Sequence, residues 1–175
     1  MDVITLGGGC FWCVEAVFKN IKGIDKLEPG YSGGHLENPS YDDVCTGTTG
    51  HAEVVRLAYD EEVISLYQVL RVFFTAHDPT TLNRQGNDVG TMYRSCIFYH
   101  NNEQKAIIEE VMSELAMEEV YEDPIVTQVE ALANFYPAET YHQNYFYEHQ
   151  DAPYCSFVIS PKVKKVKDSF RHLLK

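Results

Sequence analysis

The sequence predicts a single α/β or α+β domain, residues 1–175, in which helices pack against a β-sheet. Its 175 residues are about the size of one ordinary domain. Strand-like and helix-like segments alternate along the chain, and no linker, internal repeat or low-complexity tract divides them. The order of the strands within the sheet does not follow from these patterns.

The first two predicted elements flank a run of three glycines. Residues 3–6 form a short apolar run typical of a strand, and residues 7–9 are the glycines. Helical spacing follows them, which predicts a helix with Cys10 at its N-terminus after a tight glycine turn. The apolar positions at that spacing are Phe11, Val14, Val17, Phe18 and Ile21.

The other predicted elements rest on the same two periodicities. Two polar loops, residues 35–50 and 80–91, separate them, and long loops in compact domains are often functional. The predicted strands start over 24–28, before turn-forming residues 29–34, and then cover 51–60, 93–99 and 126–132, with a strand-like segment over 156–160. The predicted helices are one capped by Ser65, one over 103–117 capped by Asn101 or Asn102, and a basic last helix from Pro161.

Composition and charge disfavour several classes of protein. The net charge of −12 argues against nucleic acid or an anionic membrane as the main partner. No run approaches the ~20 apolar residues that a membrane span requires. The N-terminus lacks a basic segment followed by an apolar one, so we expect no signal peptide and a cytoplasmic location. Five cysteines without a secretion signal then favour reduced thiols over a disulfide scaffold.

Cys10 is the predicted reactive thiol. Unpaired N–H groups and the helix dipole at a helix N-terminus lower a thiol's pKa, and the thiolate is the nucleophile. Phe11 and Trp12 add an apolar wall, and Cys13 shares a helix face with Cys10, so the two thiols could form a reversible disulfide. The alternative is a pair of buried structural cysteines. A zinc site would need two more ligands at similar spacing, and neither a second Cys-x-x-Cys nor a His-x-x-x-His occurs.

Four polar residues in loops and at element ends are further candidates. If Glu53 points into an apolar pocket, desolvation would raise its pKa and make it a proton donor, although an exposed glutamate is the more ordinary interpretation. Tyr41 and Tyr93 could donate hydrogen bonds or simply pack, and Asp88 could be only a turn residue. The residues alone leave open a thioredoxin-like dithiol oxidoreductase, a thiol enzyme that reduces or transfers something small, and a non-catalytic binding domain.

Six motifs in a fixed order narrow this choice. Together they resemble the A-type peptide methionine sulfoxide reductases, and the resemblance runs from about residue 6 to residue 155. The motifs are Gly9-Cys10-Phe11-Trp12, Gly30-Tyr31-Ser32-Gly33-Gly34, Asn38-Pro39-Ser40-Tyr41, Thr49-Gly50-His51-Ala52-Glu53, Gln85-Gly86-Asn87-Asp88-Val89-Gly90-Thr91-Met92-Tyr93-Arg94-Ser95 and His142-Gln143-Asn144-Tyr145.

The resemblance implies both a fold and a reaction. The fold is an α+β two-layer sandwich with a ferredoxin-like core sheet and helices packed against it. The reaction is reduction of the S epimer of methionine sulfoxide, free or in oxidised proteins, with electrons from thioredoxin and with no metal or organic cofactor. By the same motifs, Cys10 attacks the sulfoxide sulfur, and Phe11 and Trp12 bind the substrate's methyl group.

The remaining family roles concern the sulfoxide oxygen. The resemblance implies that Glu53 protonates this oxygen, that Tyr41 and Tyr93 hydrogen-bond to it, and that Asp88 lines the site. These roles fit together chemically, because the oxygen is a poor leaving group until it is protonated. Attack would leave a sulfenic acid on Cys10, which a second thiol converts to a disulfide.

The identity of that second thiol is where the sequence departs from the family. Many members have glycine at the position of Cys13 and use cysteines in a glycine-rich C-terminal tail. Here Cys13 is present, Tyr154-Cys155 matches the family's C-terminal Tyr-Cys pair, and no cysteine follows. Both Cys13 and Cys155 stay candidates, with Cys13 slightly favoured because it lies one helical turn from Cys10. The other two cysteines, Cys45 and Cys96, are expected to be bystanders.

Overall fold

The structure, a computed structural model, describes all 175 residues. Its strands are β1 (Asp2–Gly7), β2 (Ile24–Ser32), β3 (Ala52–Tyr59), β4 (Arg84–Gln85), β5 (Asp88–Val89), β6 (Cys96–Tyr99), β7 (Gln128–Ala131) and β8 (Tyr136–Pro137). Its α-helices are α1 (Phe11–Phe18), α2 (Tyr41–Cys45), α3 (Leu66–Ala76), α4 (Asn102–Met117), α5 (Tyr145–Glu148) and α6 (Ser160–Ser169). None of these helices has both the length and the hydrophobicity that a membrane span requires.

A mixed sheet of six strands forms the centre of the fold, in the order β7-β6-β1-β3-β2-β8. All neighbours in it are antiparallel except β6 and β7, which are parallel and are connected through α4. β4 and β5 form a separate two-stranded hairpin. Strands and helices therefore build an α+β fold, as predicted.

The two faces of the sheet are covered differently. On β3, Val55, Leu57 and Tyr59 belong to the main core, which also contains the buried faces of α1, α3, α4 and α6. Ala52 and Val54 point to the opposite face and form a small cluster with two β6 residues. Alternate side chains of a strand point to opposite faces, so this division follows directly from the β3 sequence. One sheet with its helices on one face makes the two layers.

Helix starts follow the predicted capping residues. Ser65 accepts a hydrogen bond from the Gln68 N–H in a capping box before α3. Asn101 accepts from the Gln104 N–H at 2.9 Å and caps α4. Cys10 is the N-cap residue of α1. The expected position of this thiol, after the glycine turn and at the start of a helix, is confirmed.

The segment predicted as strand-like over 156–160 is helical, so that prediction is wrong. Residues Cys155–Ile159 form a π-helical turn that runs directly into α6. Cys155, Ile159 and Val163 are buried at four-residue spacing, whereas Phe157 is 81% exposed. Burial at this spacing requires a helix, and the short apolar run conceals it.

Two other boundaries differ from prediction. β2 continues through residues expected to form a turn, because Gly30 and Tyr31 pair with β3 on one side and β8 on the other. Tyr93, expected in a strand, lies in a 3₁₀ turn over Thr91–Tyr93 that precedes β6. That turn brings the Tyr93 phenol towards Glu53 and Cys10.

Candidate active site

The glycine turn before α1 is held by the β4–β5 hairpin. Gly9 has φ +87° and a Cβ there would lie 2.8 Å from the Gln85 Cβ, so only glycine fits this position. Gln85 in turn donates from Nε2 to the Asp78 carbonyl at 2.9 Å and accepts from the Asp78 N–H at 3.0 Å. The hairpin that carries Asp88 is thereby fixed against the turn that carries Cys10.

Glu53 lies beneath the first turn of α1 and is only 1% exposed. Its Oε1 accepts the Phe11 N–H at 3.1 Å, one of the helix donors with no partner inside the helix. Burial raises the pKa of Glu53 to about 8, with smaller contributions from the charges of Asp88 and Cys13. The interpretation of Glu53 as an exposed glutamate is therefore wrong, and the carboxyl is mainly protonated at neutral pH.

The predicted lowering of the Cys10 pKa is contradicted by the structure. Burial raises the pKa of the Cys10 thiol well above its ordinary value, and its hydrogen bond to Cys13 and the charge of Glu53 act in the same direction. The helix N-terminus does oppose this change through the Trp12 N–H, but desolvation is larger. In the protein without substrate, Cys10 is consequently a neutral thiol beside the neutral carboxyl of Glu53.

Tyr41 begins α2, and its backbone is anchored by Glu139. The Tyr41 N–H donates to Glu139 Oε2 at 2.9 Å, while the Tyr31 hydroxyl donates to Oε1 at 2.9 Å. Burial, a hydrogen bond with Cys45 and the charge of Glu53 all raise the pKa of Tyr41. The Tyr41 phenol therefore stays protonated close to Glu53.

Tyr93 reaches the same place from another loop. Arg94 donates from Nη1 to the Thr91 carbonyl at 2.9 Å and from Nη2 to the Gly50 carbonyl at 3.0 Å. These bonds tie the 3₁₀ turn to the segment that enters β3. Burial raises the pKa of Tyr93, as do the charges of Glu53 and Cys10, so this phenol also stays a hydrogen-bond donor.

Trp12 and Phe11 form the expected aromatic wall, together with partners that the sequence reasoning missed. Trp12 stacks on Tyr145, with ring centroids 3.7 Å apart and planes 9° apart. Its Nε1 donates to His142 Nδ1 at 3.0 Å, and the Phe11 ring lies 5.0 Å from the His142 ring. His142 is buried and its pKa is lowered by desolvation, so it is neutral and fixes the orientation of the indole.

Glu15 attaches the segment that carries Tyr145 to α1. Its Oε1 accepts the Asn144 N–H at 2.7 Å, and burial raises the pKa of this carboxyl to about 7. Asn144 has φ +59°, a conformation that asparagine tolerates better than most residues. The motif His142-Gln143-Asn144-Tyr145 could have identified this wall, but its contact with α1 could not be predicted from sequence distance.

A second thiol environment adjoins the first. The Tyr154 hydroxyl donates to Asp88 Oδ2 at 2.6 Å and lies 3.9 Å from the Cys13 Sγ. The pKa of Cys13 is lowered, mainly by its hydrogen bond from Cys10. Cys155 is fully buried in the π-helical turn, and burial and the Cys13 charge raise its pKa.

The remaining cysteines differ from one another. Cys96 is fully buried and packs with Ala52, Val54 and Phe98, away from the main core, as expected of a bystander. Cys45 is exposed, and its side chain hydrogen-bonds to Tyr41. Cys45 is therefore adjacent to a candidate site residue, which its sequence position did not indicate.

This constellation defines a class of protein. A buried thiol, a carboxyl kept protonated beside it, two phenols, an aromatic wall and a second thiol are the parts of a thiol-based oxidoreductase that acts on a small polar group carrying an apolar substituent. The structure brings every predicted site residue to this region, with Cys155 behind Cys13.

Comparison with known proteins identifies the family within that class. Residues 2–174 match the family model described as "Peptide methionine sulfoxide reductase". A protein of this name, MsrA from Saccharolobus solfataricus, is 56% identical over 170 residues, covering 97% of this chain and 95% of the relative. The chain therefore belongs to the peptide methionine sulfoxide reductase family.

Solved structures agree. Reduced Mxr1 from Saccharomyces cerevisiae has a TM-score of 0.80 and 34% identity, covering 88% of each chain. Mxr1 in complex with Trx2 has a TM-score of 0.55 and 26% identity, covering 82% of this chain and 84% of that chain. The resemblance in the motifs is confirmed, as is the α+β fold that it implied. A thioredoxin-like oxidoreductase, the alternative that the sequence left open, is not favoured.

Proposed function

We propose that this chain reduces the S epimer of methionine sulfoxide, free or within oxidised proteins, through a sulfenic acid on Cys10. The observation that carries the mechanism is the Glu53 carboxyl, buried, with a pKa of about 8, and held beside Cys10 by the first N–H of α1. A thiol next to a protonated carboxyl suits a reaction in which a poor leaving group must be protonated as it departs.

In the first step the Cys10 sulfur attacks the sulfoxide sulfur and a sulfur–sulfur bond forms. The protonated oxygen then passes from the substrate sulfur to the Cys10 sulfur, as this bond and the substrate's sulfur–oxygen bond break. Glu53 donates its proton to the oxygen while Tyr41 and Tyr93 hydrogen-bond to it, and the thiol proton of Cys10 restores the Glu53 carboxyl. One sulfoxide and one thiol thus become one methionine and one sulfenic acid. The raised pKa of Cys10 matches this balance, because the thiol proton is consumed in the reaction.

Phe11 and Trp12 would bind the substrate's methyl group. Both rings belong to the apolar wall beside Cys10, and Trp12 is fixed by stacking and by its hydrogen bond to His142. The apolar wall lies on the side of the substrate's methyl group, and the hydrogen-bond donors lie on the side of its oxygen. The site therefore distinguishes the two ends of the sulfoxide group. Asp88 contributes through its hydrogen bond from Tyr154, at the far side of the thiol pair.

In the second step a thiol displaces the hydroxyl of the sulfenic acid, which gives a disulfide and water. We assign this step to Cys13, because Cys10 hydrogen-bonds to it and it follows one turn later in α1. The charge of Cys13 raises the pKa of the buried Cys155 thiol, whereas Cys10 has no such effect on it. Cys155 is therefore positioned to exchange with Cys13 rather than to react first with Cys10.

Thioredoxin is the proposed reductant of the resulting disulfide. The similar yeast protein Mxr1 has been solved in complex with Trx2, which supports an equivalent partner here. A thioredoxin system and reduced thiols suit a cytoplasmic location, which we propose together with a single domain over residues 1–175. Six of the eight strands share one sheet, which favours one domain over two.

Separated sulfoxide epimers with dithiothreitol as reductant test the reaction. We expect turnover of the S epimer only, and no more than a trace in Cys10→Ser because only the thiol supplies the nucleophile. Cys96→Ala, a buried thiol outside the site, is the matched control and should retain activity. Substantial turnover by Cys10→Ser, or reduction of insulin disulfides without sulfoxide reduction, would disprove the proposal.

The resolving thiol is tested by one equivalent of sulfoxide without reductant. The variant that lacks the resolver should lose one thiol and hold a sulfenic acid, whereas the other variant should lose two and form a disulfide. We expect Cys13→Ser to be the first and Cys155→Ser the second. Disulfide formation by Cys13→Ser at the wild-type rate would assign the step to another thiol, and full activity in both variants would show that the two are redundant.

A further inference from the structure

The surroundings of Cys13 contain one cationic group that the reaction described above does not use. Lys162, near the start of α6, places its Nζ 3.9 Å from the Cys13 Sγ. Lys162 is half-buried and also lines a surface cavity of about 700 Å³ together with His77 and Asp78. Lys162 therefore contacts both the Cys13 thiol and an open cavity.

We propose that Lys162 is a catalytic residue of the disulfide-forming step, stabilising Cys13 as the thiolate that attacks the Cys10 sulfenic acid. The inference rests on the proposed role of Cys13 as the resolving thiol. In this step the Cys13 thiolate forms the sulfur–sulfur bond, the hydroxyl leaves Cys10, and the proton released by Cys13 converts that hydroxyl to water. The ammonium of Lys162 keeps its proton throughout and acts through its charge.

The other groups around Cys13 show why a cation matters here. The Tyr154 hydroxyl is 3.9 Å from the Cys13 Sγ but donates to Asp88 at 2.6 Å, and it lowers the pKa of Cys13 less than Lys162 does. The Asp88 carboxylate opposes a thiolate, and Lys162 opposes Asp88 with the larger effect on the pKa of Cys13. The titratable and charged groups that face Cys13 are Cys10, Glu53, Asp88, Tyr154, Cys155 and Lys162.

Lys162 belongs to the disulfide step and not to sulfoxide reduction. Its Nζ contacts the Cys13 Sγ, and its charge is not among the largest influences on the pKa of Cys10 or of Glu53. Loss of an ammonium at this distance should shift the titration of Cys13 upwards by about one pH unit, or about tenfold in thiolate population. A more basic thiolate is also more nucleophilic, so the net loss of rate at neutral pH should be about threefold.

Three variants of the full chain separate charge from packing. Lys162→Met removes the charge and keeps the length of the side chain, and Lys162→Arg restores the charge. Lys165→Met is the matched control, because Lys165 lies on the same helix and lines the same cavity but is exposed and makes no contact with Cys13. Cys13 alkylation by iodoacetamide is followed across pH by tandem mass spectrometry, and reductant-free turnover of methionine S-sulfoxide is followed by rapid quench.

We expect Lys162→Met to form methionine at the wild-type rate, to form the disulfide about threefold more slowly, and to titrate Cys13 about one pH unit higher. Lys162→Arg and Lys165→Met should behave like the wild type in all three measurements. Unchanged titration and disulfide formation in Lys162→Met would overturn the proposal while leaving sulfoxide reduction intact. Disulfide formation in Cys13→Ser at the wild-type rate would overturn it too, by removing Cys13 from the step.

Discussion

Replacing Glu53 by glutamine should make the protein more stable and nearly inactive. Glu53 is 1% exposed, and burial raises its pKa from an ordinary value of 4.5 to about 8. Glutamine keeps the oxygen that accepts the Phe11 N–H but neither ionises nor donates an acidic proton. The sulfenic-acid-forming step should slow by roughly 10²-fold or more, the usual scale for a positioned proton donor.

The size of the stability change follows from the raised pKa. Below pH 4.5 the carboxyl is neutral in both folded and unfolded chains and costs nothing. Between 4.5 and about 8 the unfolded chain releases the proton while the folded chain retains it, so stability falls as pH rises. Burial of this carboxyl therefore lowers the free energy of unfolding by about 1 kcal/mol near pH 5 and by about 4 kcal/mol near pH 8. Glu53→Gln removes this loss of stability.

Urea unfolding of the wild type and Glu53→Gln near pH 5 and pH 8 measures this difference. The variant should have the larger free energy of unfolding at both pH values. Its advantage over the wild type should be about 3 kcal/mol greater at pH 8 than at pH 5. Glu109→Gln, an exposed glutamate on α4, is the matched control and should show no such change. Equal pH dependence in the wild type and Glu53→Gln would refute a buried, protonated Glu53.

Three further predictions concern the pH dependence and the residues that position the site. Single-turnover methionine formation should fall as pH rises through about 8, the pKa of Glu53, and a stopped-flow profile that rises there would contradict its role as proton donor. His142→Leu should change the fluorescence emission of Trp12, the only tryptophan, and should raise KM about fivefold with little effect on kcat. Unchanged emission and KM would show that the hydrogen bond from Trp12 to His142 does not position the indole. Tyr154→Phe should leave methionine formation unchanged and alter the rate of reductant-free disulfide formation, whereas an unaltered disulfide rate would show that the hydroxyl bonded to Asp88 is a bystander.

Local patterns in the sequence located the proposed nucleophile, Cys10, but did not predict whether its thiol is ionised. Glycine turn and helical periodicity correctly placed Cys10 at the start of α1. The expected low pKa relied on the helix dipole alone, whereas desolvation depends on how completely the rest of the fold covers the thiol. Burial is a tertiary property, so it could not be predicted from the elements flanking Cys10.

The burial of Glu53 follows from its position on β3. It shares the alternation of Val55 and Leu57 on β3, and both of these side chains belong to the main core. Strand parity therefore places the carboxyl on the buried face. The positions of Glu139 and His142 could not be predicted in this way, because these residues are 98 and 130 residues along the chain from their partners Tyr41 and Trp12.

A reductant-free single turnover tests the central account most directly. One equivalent of methionine S-sulfoxide is mixed with the reduced chain, and methionine, free thiols and disulfide-linked residues are quantified from the same quenched sample. We predict one methionine per chain, loss of two thiols and a disulfide that joins Cys10 to Cys13. Methionine formation without loss of thiols, or a disulfide that excludes Cys10, would contradict the account.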